Sequence, residues 1–424
     1  MSSLLIRDGV LVDPAAGLER PGHLLVRDGV IAAIDPRGAA ADRVVDAAGG
    51  FVLPGFVDMH VHLREPGFEH KETIATGLLA AVRGGFTAVA PMPNTQPVCD
   101  SPQVYKLVLD RAAAVRLAHV HPIAAITTGS RGTELADLAR LAALGCRAFS
   151  NDGQPVEDAA TMLRAMEVVR RLGGVVIDHC EDKTLSRGGA MHAGPEAERW
   201  GVTGQSPLAE EVHIARDVLL AEATDCRLHI AHLSTARGLE LVRWARRRGV
   251  AVTAEAAPHH FCLSTADMPG PDPNYKMNPP LRPPADRDAL VGGLAAGDID
   301  AIATDHAPHA DAEKARGFQD APHGVIGLET AVPLIMDRLY HTGRMGIGQI
   351  ALACAVLPAR ILGAPARSLQ PGAAAHLTLI DPDRPTVIAR DGFASRSRNT
   401  PFEGWRLRGA AHLAVGEPDG HLRG

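Results

Sequence analysis

His60 and His62, in the stretch Asp58-Met-His-Val-His-Leu-Arg64, are two imidazoles one residue apart at the end of an apolar run. On a strand, positions i and i+2 share a face, so both rings can meet one cation from a rigid support. Arg64 extends the same row and can hold an anion beside that cation. Other candidates also close apolar runs: Asp152, His179, His232 and Asp305. Four imidazoles and two carboxylates suit zinc or a similar borderline metal, and are enough for two ions sharing a bridging carboxylate.

Ligands so far apart in the chain need a scaffold that gathers strand ends. Eight apolar runs, at 56–60, 86–90, 121–126, 146–150, 175–178, 228–231, 250–254 and 299–304, alternate with stretches of helical spacing. Residues 158–171 and 207–224 are two of those helical stretches, and Gly173-Gly174 stops the first. Eight such units predict an α/β fold with a closed, TIM-like (β/α)8 barrel over residues 52–364, although an open sheet gives a similar local pattern. In a barrel the C-terminal strand ends meet at one mouth, where this fold keeps its chemistry. A histidine such as His179 taken alone reads more often as a hydrogen-bonded core residue. Its counterparts at the other strand ends turn the reading towards metal.

The two ends of the chain have a different texture. Short strand-like runs at 4–6, 10–12, 23–26 and 30–34 are separated by Asp8-Gly9 and Asp28-Gly29, which read as turns of a small antiparallel sheet. Residues 375–380 repeat the style, so 1–51 and 365–424 are expected to build one composite, β-sandwich-like domain. The remaining polar residues have plainer readings. His259 and His260 suit roles behind the ligands or in the structure, and Asp178 and Glu181, flanking His179, read as solvated or supporting carboxylates. Arg246-Arg247-Arg248 reads as the exposed last turn of a helix. Residues 306–324 read equally as a mobile flap over the site or as a surface loop.

Composition excludes several classes of function. A chain of 424 residues, 46% hydrophobic and 22% charged, has ample material for a core, and its net charge of -6 with scattered basic residues points to no nucleic-acid partner. No apolar run approaches the ~18 residues of a membrane span. The six cysteines form no C-x-x-C pair, and the amino terminus carries no secretion signal, so a reducing cytoplasm is the natural setting.

Phe51-Val-Leu-Pro-Gly-Phe-Val-Asp-Met-His-Val-His-Leu-Arg64, Met92-Pro-Asn-Thr95, Asn151-Asp-Gly153, Ala231-His-Leu-Ser234 and Ala303-Thr-Asp-His-Ala-Pro-His309 together resemble the dihydroorotases of the amidohydrolase superfamily. The likeness runs through nearly the whole chain and is strongest to the class I bacterial enzymes. It implies reversible hydrolysis of dihydroorotate to N-carbamoyl-aspartate, a step of de novo pyrimidine (UMP) synthesis. It further implies His60, His62, His179 and His232 as imidazole ligands, Asp152 as the carboxylate bridging two zinc ions, and Asp305 as ligand and general base and acid. One ion, or another divalent metal, is compatible with the same set. Arg64, Asn94, Asn278 and His309 match substrate-holding positions, with His62 beside them. Backbone groups around Pro322-His323-Gly324 match another, and His323 stands where phenylalanine is usual. The resemblance also admits a homodimer and docking to aspartate transcarbamoylase. Two alternatives stand beside it. Dihydropyrimidinases, hydantoinases and allantoinases often bridge their metals with a carboxylated lysine after the fourth strand, where this chain has none of its five lysines. A noncatalytic subunit scaffolding aspartate transcarbamoylase would be expected to have lost ligands that are present here.

Overall fold

The apolar run ahead of His60 forms the strand Phe56–Val61, every residue of it buried, as a strand covered on both faces requires. The computed structural model describes residues 3–415. Phe56–Val61 pairs in parallel with Phe86–Pro91, which pairs with His119–Val120. Ala148–Phe149, Val175–Asp178, Arg227–Ile230, Val252–Ala256 and Ala301–Ile302 follow, each parallel to the next. Parallel bridges Ala124 to Phe149 and Val61 to His306 join the two groups at both seams, so the eight strands close into a barrel. The third strand is only two residues long, and Pro122 just beyond it cannot donate to the ladder. Alternate residues fill the interior: Val57 and Met59, Ala88 and Ala90, Val175 and Ile177, Ala301 and Ala303 belong to one apolar cluster. The short helix Leu357–Leu362 contributes Ala359, Ile361 and Leu362 to that cluster and closes the barrel floor.

The helices lie where the spacing places them. Ala159–Arg171 starts at Asp158, whose carboxylate accepts from the Thr161 N–H, and Leu208–Thr224 follows the fifth strand. Among the described residues no helix is long and apolar enough to cross a membrane. Arg246 departs from the expected exposed turn. It is half-buried, donates to the carbonyls of Val252 (3.1 Å) and Asp298 (2.9 Å), and pairs with Asp300, fastening its helix to the loop before the eighth strand.

Both ends of the chain enter one seven-stranded sheet. Two expectations change there. Asp8-Gly9 is not a turn: Ser3–Asp13 is one strand, and the pair marks a shift in its register against Leu18–Arg27. The sheet is also mixed rather than antiparallel, since Arg43–Asp46 and Phe51–Pro54 both run parallel to Ser3–Asp13. Asp28-Gly29 does form a turn, with φ of 49° and 74° as a two-residue hairpin demands. Leu377–Val387 lies between Phe51–Pro54 and Arg406–Val415. Phe51–Pro54 leads straight into the first barrel strand through Gly55, where a Cβ would come within 2.3 Å of Thr87 Oγ1. The close approach of sheet and barrel at this point admits only glycine.

Candidate active site

The barrel mouth brings the expected ligands together. Asp152 sits among them: its Oδ1 is 3.4 Å from His60 Nε2, 3.6 Å from His179 Nδ1 and 3.8 Å from His232 Nε2, and its Oδ2 is 3.7 Å from His62 Nε2. Asp305 Oδ1 faces His62 Nε2 at 3.2 Å and His60 Nε2 at 3.5 Å. His60, His62 and Asp305 form one group able to hold a cation, and His60, Asp152 and His232 a second. His60 Nε2 and Asp152 Oδ1 are buried with no hydrogen-bond partner, and His232 Nε2 lies 3.8 Å from that same Asp152 oxygen. Unpartnered buried nitrogen and carboxylate atoms converging on one space fit a cation, which would satisfy them at once. Burial alone would raise both carboxylates, but the imidazoles, His60 foremost, hold Asp152 and Asp305 below the usual carboxylate range and ionised.

The backbone is bent to make this arrangement. His232, Asp305 and Arg64 have φ of 32°, 48° and 60°, a region costly for residues with a Cβ. Three strand ends therefore turn sharply where their side chains must aim inward. Asp58 stabilises two of these ends: its Oδ1 accepts from the N–H groups of His60 (3.2 Å) and Thr304 (3.1 Å), and its Oδ2 from Thr304 Oγ1 (2.5 Å). The first and eighth strands are thus pinned together just before His60 and Asp305.

Glu255, at the end of the seventh strand, was not singled out from sequence. Its Oε1 accepts from His60 Nδ1 at 2.7 Å and from the His232 N–H at 3.2 Å, and its Oε2 faces His229 Nε2 at 3.1 Å. This fixes the His60 tautomer and leaves Nε2 to face the cation space. Glu181 does the same for His179, taking its Nε2 at 3.0 Å while also accepting from Lys183 (2.7 Å) and Asn278 (2.9 Å). Asp178, by contrast, is fully buried and pairs with His213 at 3.0 Å, so it is not solvated. His260 donates to the Pro279 carbonyl at 2.9 Å, and neither it nor His259 belongs to a metal-holding group among the described residues.

A cavity of about 410 Å³ opens over the ligands, lined by every expected site residue except His60, which lies beneath. Arg64 spends Nε on the Pro308 carbonyl at 3.1 Å. Its Nη2 is 3.3 Å from His309 Nε2, but that nitrogen is closer to the His323 carbonyl, at 2.8 Å, and donates there. Burial first, then the charge of Arg64, keeps His309 neutral, so Nε2 cannot also accept, and the Arg64 fork is left facing the cavity. Asn94 serves the ligands directly: its Oδ1 accepts from His62 Nδ1 at 2.9 Å and its Nδ2 donates to Asp152 at 3.1 Å. Asn278 accepts from Gln205 at 3.1 Å and reaches His179 Nε2 at 3.2 Å.

The Pro322-His323-Gly324 segment borders the cavity beside Lys276 and Asn399. The Gly324 N–H donates to the Lys276 carbonyl at 2.9 Å, and its carbonyl accepts from Asn399 at 3.0 Å. Gly324 also supplies room, since a Cβ would meet Ala307 Cβ at 2.6 Å. The His323 ring bridges the mouth to the Gly189 carbonyl at 3.2 Å. Residues 306–324 have the contacts of an anchored loop. Lys314 Nζ donates to the carbonyls of Pro273 (2.8 Å), Lys276 (3.2 Å) and Pro322 (2.9 Å), and Lys276 Nζ to that of Gln319 (2.7 Å).

A closed barrel with an imidazole and carboxylate mouth, joined to a sheet built from both chain ends, is the architecture of the metal-dependent cyclic amidohydrolases. The chain superimposes on the L-hydantoinase (dihydropyrimidinase) of Arthrobacter aurescens with a TM-score of 0.89 and 25% identity, covering 100% of this chain and 98% of that one. Residues 49–238 match the family model described as dihydro-orotase-like. The dihydroorotase of Pelotomaculum thermopropionicum is 50% identical over 408 residues, 96% of this chain and 95% of its own. That of Geobacillus sp. (strain WCH70) is 46% identical over 409 residues, 96% of each. The chain belongs to the dihydroorotase family.

Proposed function

We propose that the mouth cavity opens and recloses the ring of dihydroorotate, using two divalent cations, zinc foremost, with Asp152 between them. His60, His62, His179, His232, Asp152 and Asp305 would hold these ions. When bound, such ions lower the pKa of water to about 7 and polarise the carbonyl under attack. Asp305 takes the proton of the attacking water and delivers it to the ring nitrogen as the amide C–N bond breaks; the reverse reaction retraces both transfers. Arg64 holds the substrate carboxylate in its planar fork. Asn94 orients His62 and Asp152, while Asn278, His309, His323 and Gly324 complete the wall.

One observation carries this reading: an arginine fork faces the same cavity as the ligand set, as a ring bearing a carboxylate requires. Dihydrouracil has no carboxylate for that fork. The test is a direct comparison of dihydroorotate, dihydrouracil and allantoin as substrates, with dihydroorotate the one turned over. Preference for dihydrouracil or allantoin overturns the assignment. Residues 1–51 with 365–424 are proposed as one domain and 52–364 as the other. Co-elution with aspartate transcarbamoylase, and activity with and without it, separates an independent enzyme from a complexed one. Sedimentation distinguishes monomer from homodimer.

A further inference from the structure

Arg64 keeps its fork free for the cavity only while His309 carries its proton on Nε2. That nitrogen lies 2.8 Å from the His323 carbonyl oxygen, which can only accept, and 3.3 Å from Arg64 Nη2, which can only donate. With the proton on Nε2, the ring donates to His323 and makes no claim on Arg64. With the proton on Nδ1 instead, Nε2 becomes an acceptor, takes a hydrogen bond from Arg64 and meets the His323 oxygen lone pair against lone pair. The two neutral tautomers of one imidazole therefore assign the guanidinium either to the cavity or to the protein.

The other side of the ring decides between them. Nδ1 has two charged neighbours of opposite sign, Lys71 Nζ at 3.5 Å and Glu313 Oε2 at 3.8 Å. An ammonium has donors and no acceptor, so it favours a bare Nδ1, whereas a carboxylate favours Nδ1–H. Lys71 is the nearer, and it also occupies its rival, with Nζ 3.0 Å from Glu313 Oε1. The ammonium is held in place: its side chain is 14% exposed, Nζ lies 5.3 Å from the centre of the Phe68 ring, and the Lys71 carbonyl accepts from Ser397 Oγ at 2.7 Å. Burial first, then the charges of Arg64, Lys314 and Lys71, hold His309 below the ordinary imidazole range, so the doubly protonated ring does not compete. Lys71 itself does not line the catalytic cavity.

We propose that Lys71 is a positioning residue for substrate binding: its ammonium fixes the Nε2–H tautomer of His309 and so releases the Arg64 fork to the carboxylate of the ring. The proposal rests on Arg64 holding that carboxylate. Lys71 and Glu313 act in opposition on His309, and the device depends on charge, so arginine can stand in for Lys71 and an uncharged side chain cannot.

The test uses zinc-loaded protein with ¹⁵N-labelled histidine, in which the His309 signals are assigned by their loss in His309→Gln and the ring nitrogens report the tautomer. Nε2–H is expected in the wild type and in Lys71→Arg, and Nδ1–H in Lys71→Met. Steady-state kinetics run alongside. Lys71→Met should raise KM for dihydroorotate roughly tenfold, the worth of the bond Arg64 must then break, with kcat nearly unchanged. Lys71→Arg should restore KM, and Glu313→Gln added to Lys71→Met should restore part of it. In an Arg64→Met background, Lys71→Met should add nothing. Should Lys71→Met fail to fold, Lys71→Gln must show the rise in KM. Nε2–H persisting in folded Lys71→Met overturns the proposal, as does a fall in kcat at unchanged KM, or a full additive effect in the Arg64→Met background. An unchanged KM in Arg64→Met alone refutes carboxylate capture instead, while the tautomer in Lys71→Met still decides whether Lys71 controls His309.

Discussion

Replacing Glu255 with Gln removes one negative charge and little volume from behind His60. The carboxylate accepts from His60 Nδ1 at 2.7 Å, from the His232 N–H at 3.2 Å and from the His229 ring at 3.1 Å. Gln retains one acceptor for His60 and His232, and its amide N–H₂ can face His229 if that ring changes tautomer and donates to Thr253 Oγ1, now 2.8 Å from its Nδ1. The fold should therefore survive. What is lost is the charge that makes His60 a more basic ligand. Losses at such supporting positions run to about 10–100-fold in metal affinity or activity. At about 1.4 kcal/mol per tenfold, that is roughly 1.4–2.8 kcal/mol. Chelator competition measures the affinity of the weaker ion, and kcat at saturating metal separates a binding loss from a catalytic one. Wild-type metal affinity and wild-type kcat in a folded Glu255→Gln protein would refute the role given to this carboxylate.

Asp305→Asn should lower kcat by about 10²–10⁴-fold, the usual share of a general base, while dihydroorotate binding remains measurable by calorimetry. Near-normal turnover contradicts the assignment. Arg64→Met should raise KM for dihydroorotate by roughly 10–100-fold, as loss of charge-assisted hydrogen bonds implies, and an unchanged KM argues against carboxylate capture. Lys314→Met leaves three backbone carbonyls unserved and should cost about 2–4 kcal/mol of stability, read as a lower urea midpoint. Burial, with Lys276 nearby, brings Lys314 from 10.5 to about 7, so its folded pKa lies below the unfolded one. Between those values the unfolded chain binds more protons, and this group's contribution to stability rises with pH and is lost as pH falls through 7. The Tm difference between wild type and Lys314→Met should accordingly widen from pH 7 to 10, and a constant difference refutes the shift.

The ligands were legible because each ends an apolar run, and a run's end needs only local pattern to locate. His60, Asp152, His179, His232 and Asp305 come from five strands, yet every one is marked by its own few neighbours. Glu255 escaped because the seventh run was read as stopping at Ala254, and a carboxylate beyond a strand declares no partner until His60 is seen opposite, 195 residues away. Asp58 was hidden in the same way, since its bond to Thr304 spans 246 residues. Asp8-Gly9 misled because the dipeptide that makes a hairpin turn also makes a bulge, and only the length of the partner strand decides between them. The anchoring of residues 306–324 by Lys314 depends on the carbonyls of Pro273 and Lys276, 41 and 38 residues away, which local sequence cannot indicate.

Metal-free protein titrated with zinc, with dihydroorotate hydrolysis followed at each addition, tests the central claim most directly. The account predicts activity that rises from nothing and saturates near two ions per chain, with dihydrouracil untouched throughout. Full activity in the metal-free protein, or preferential turnover of dihydrouracil once metal is restored, would contradict it.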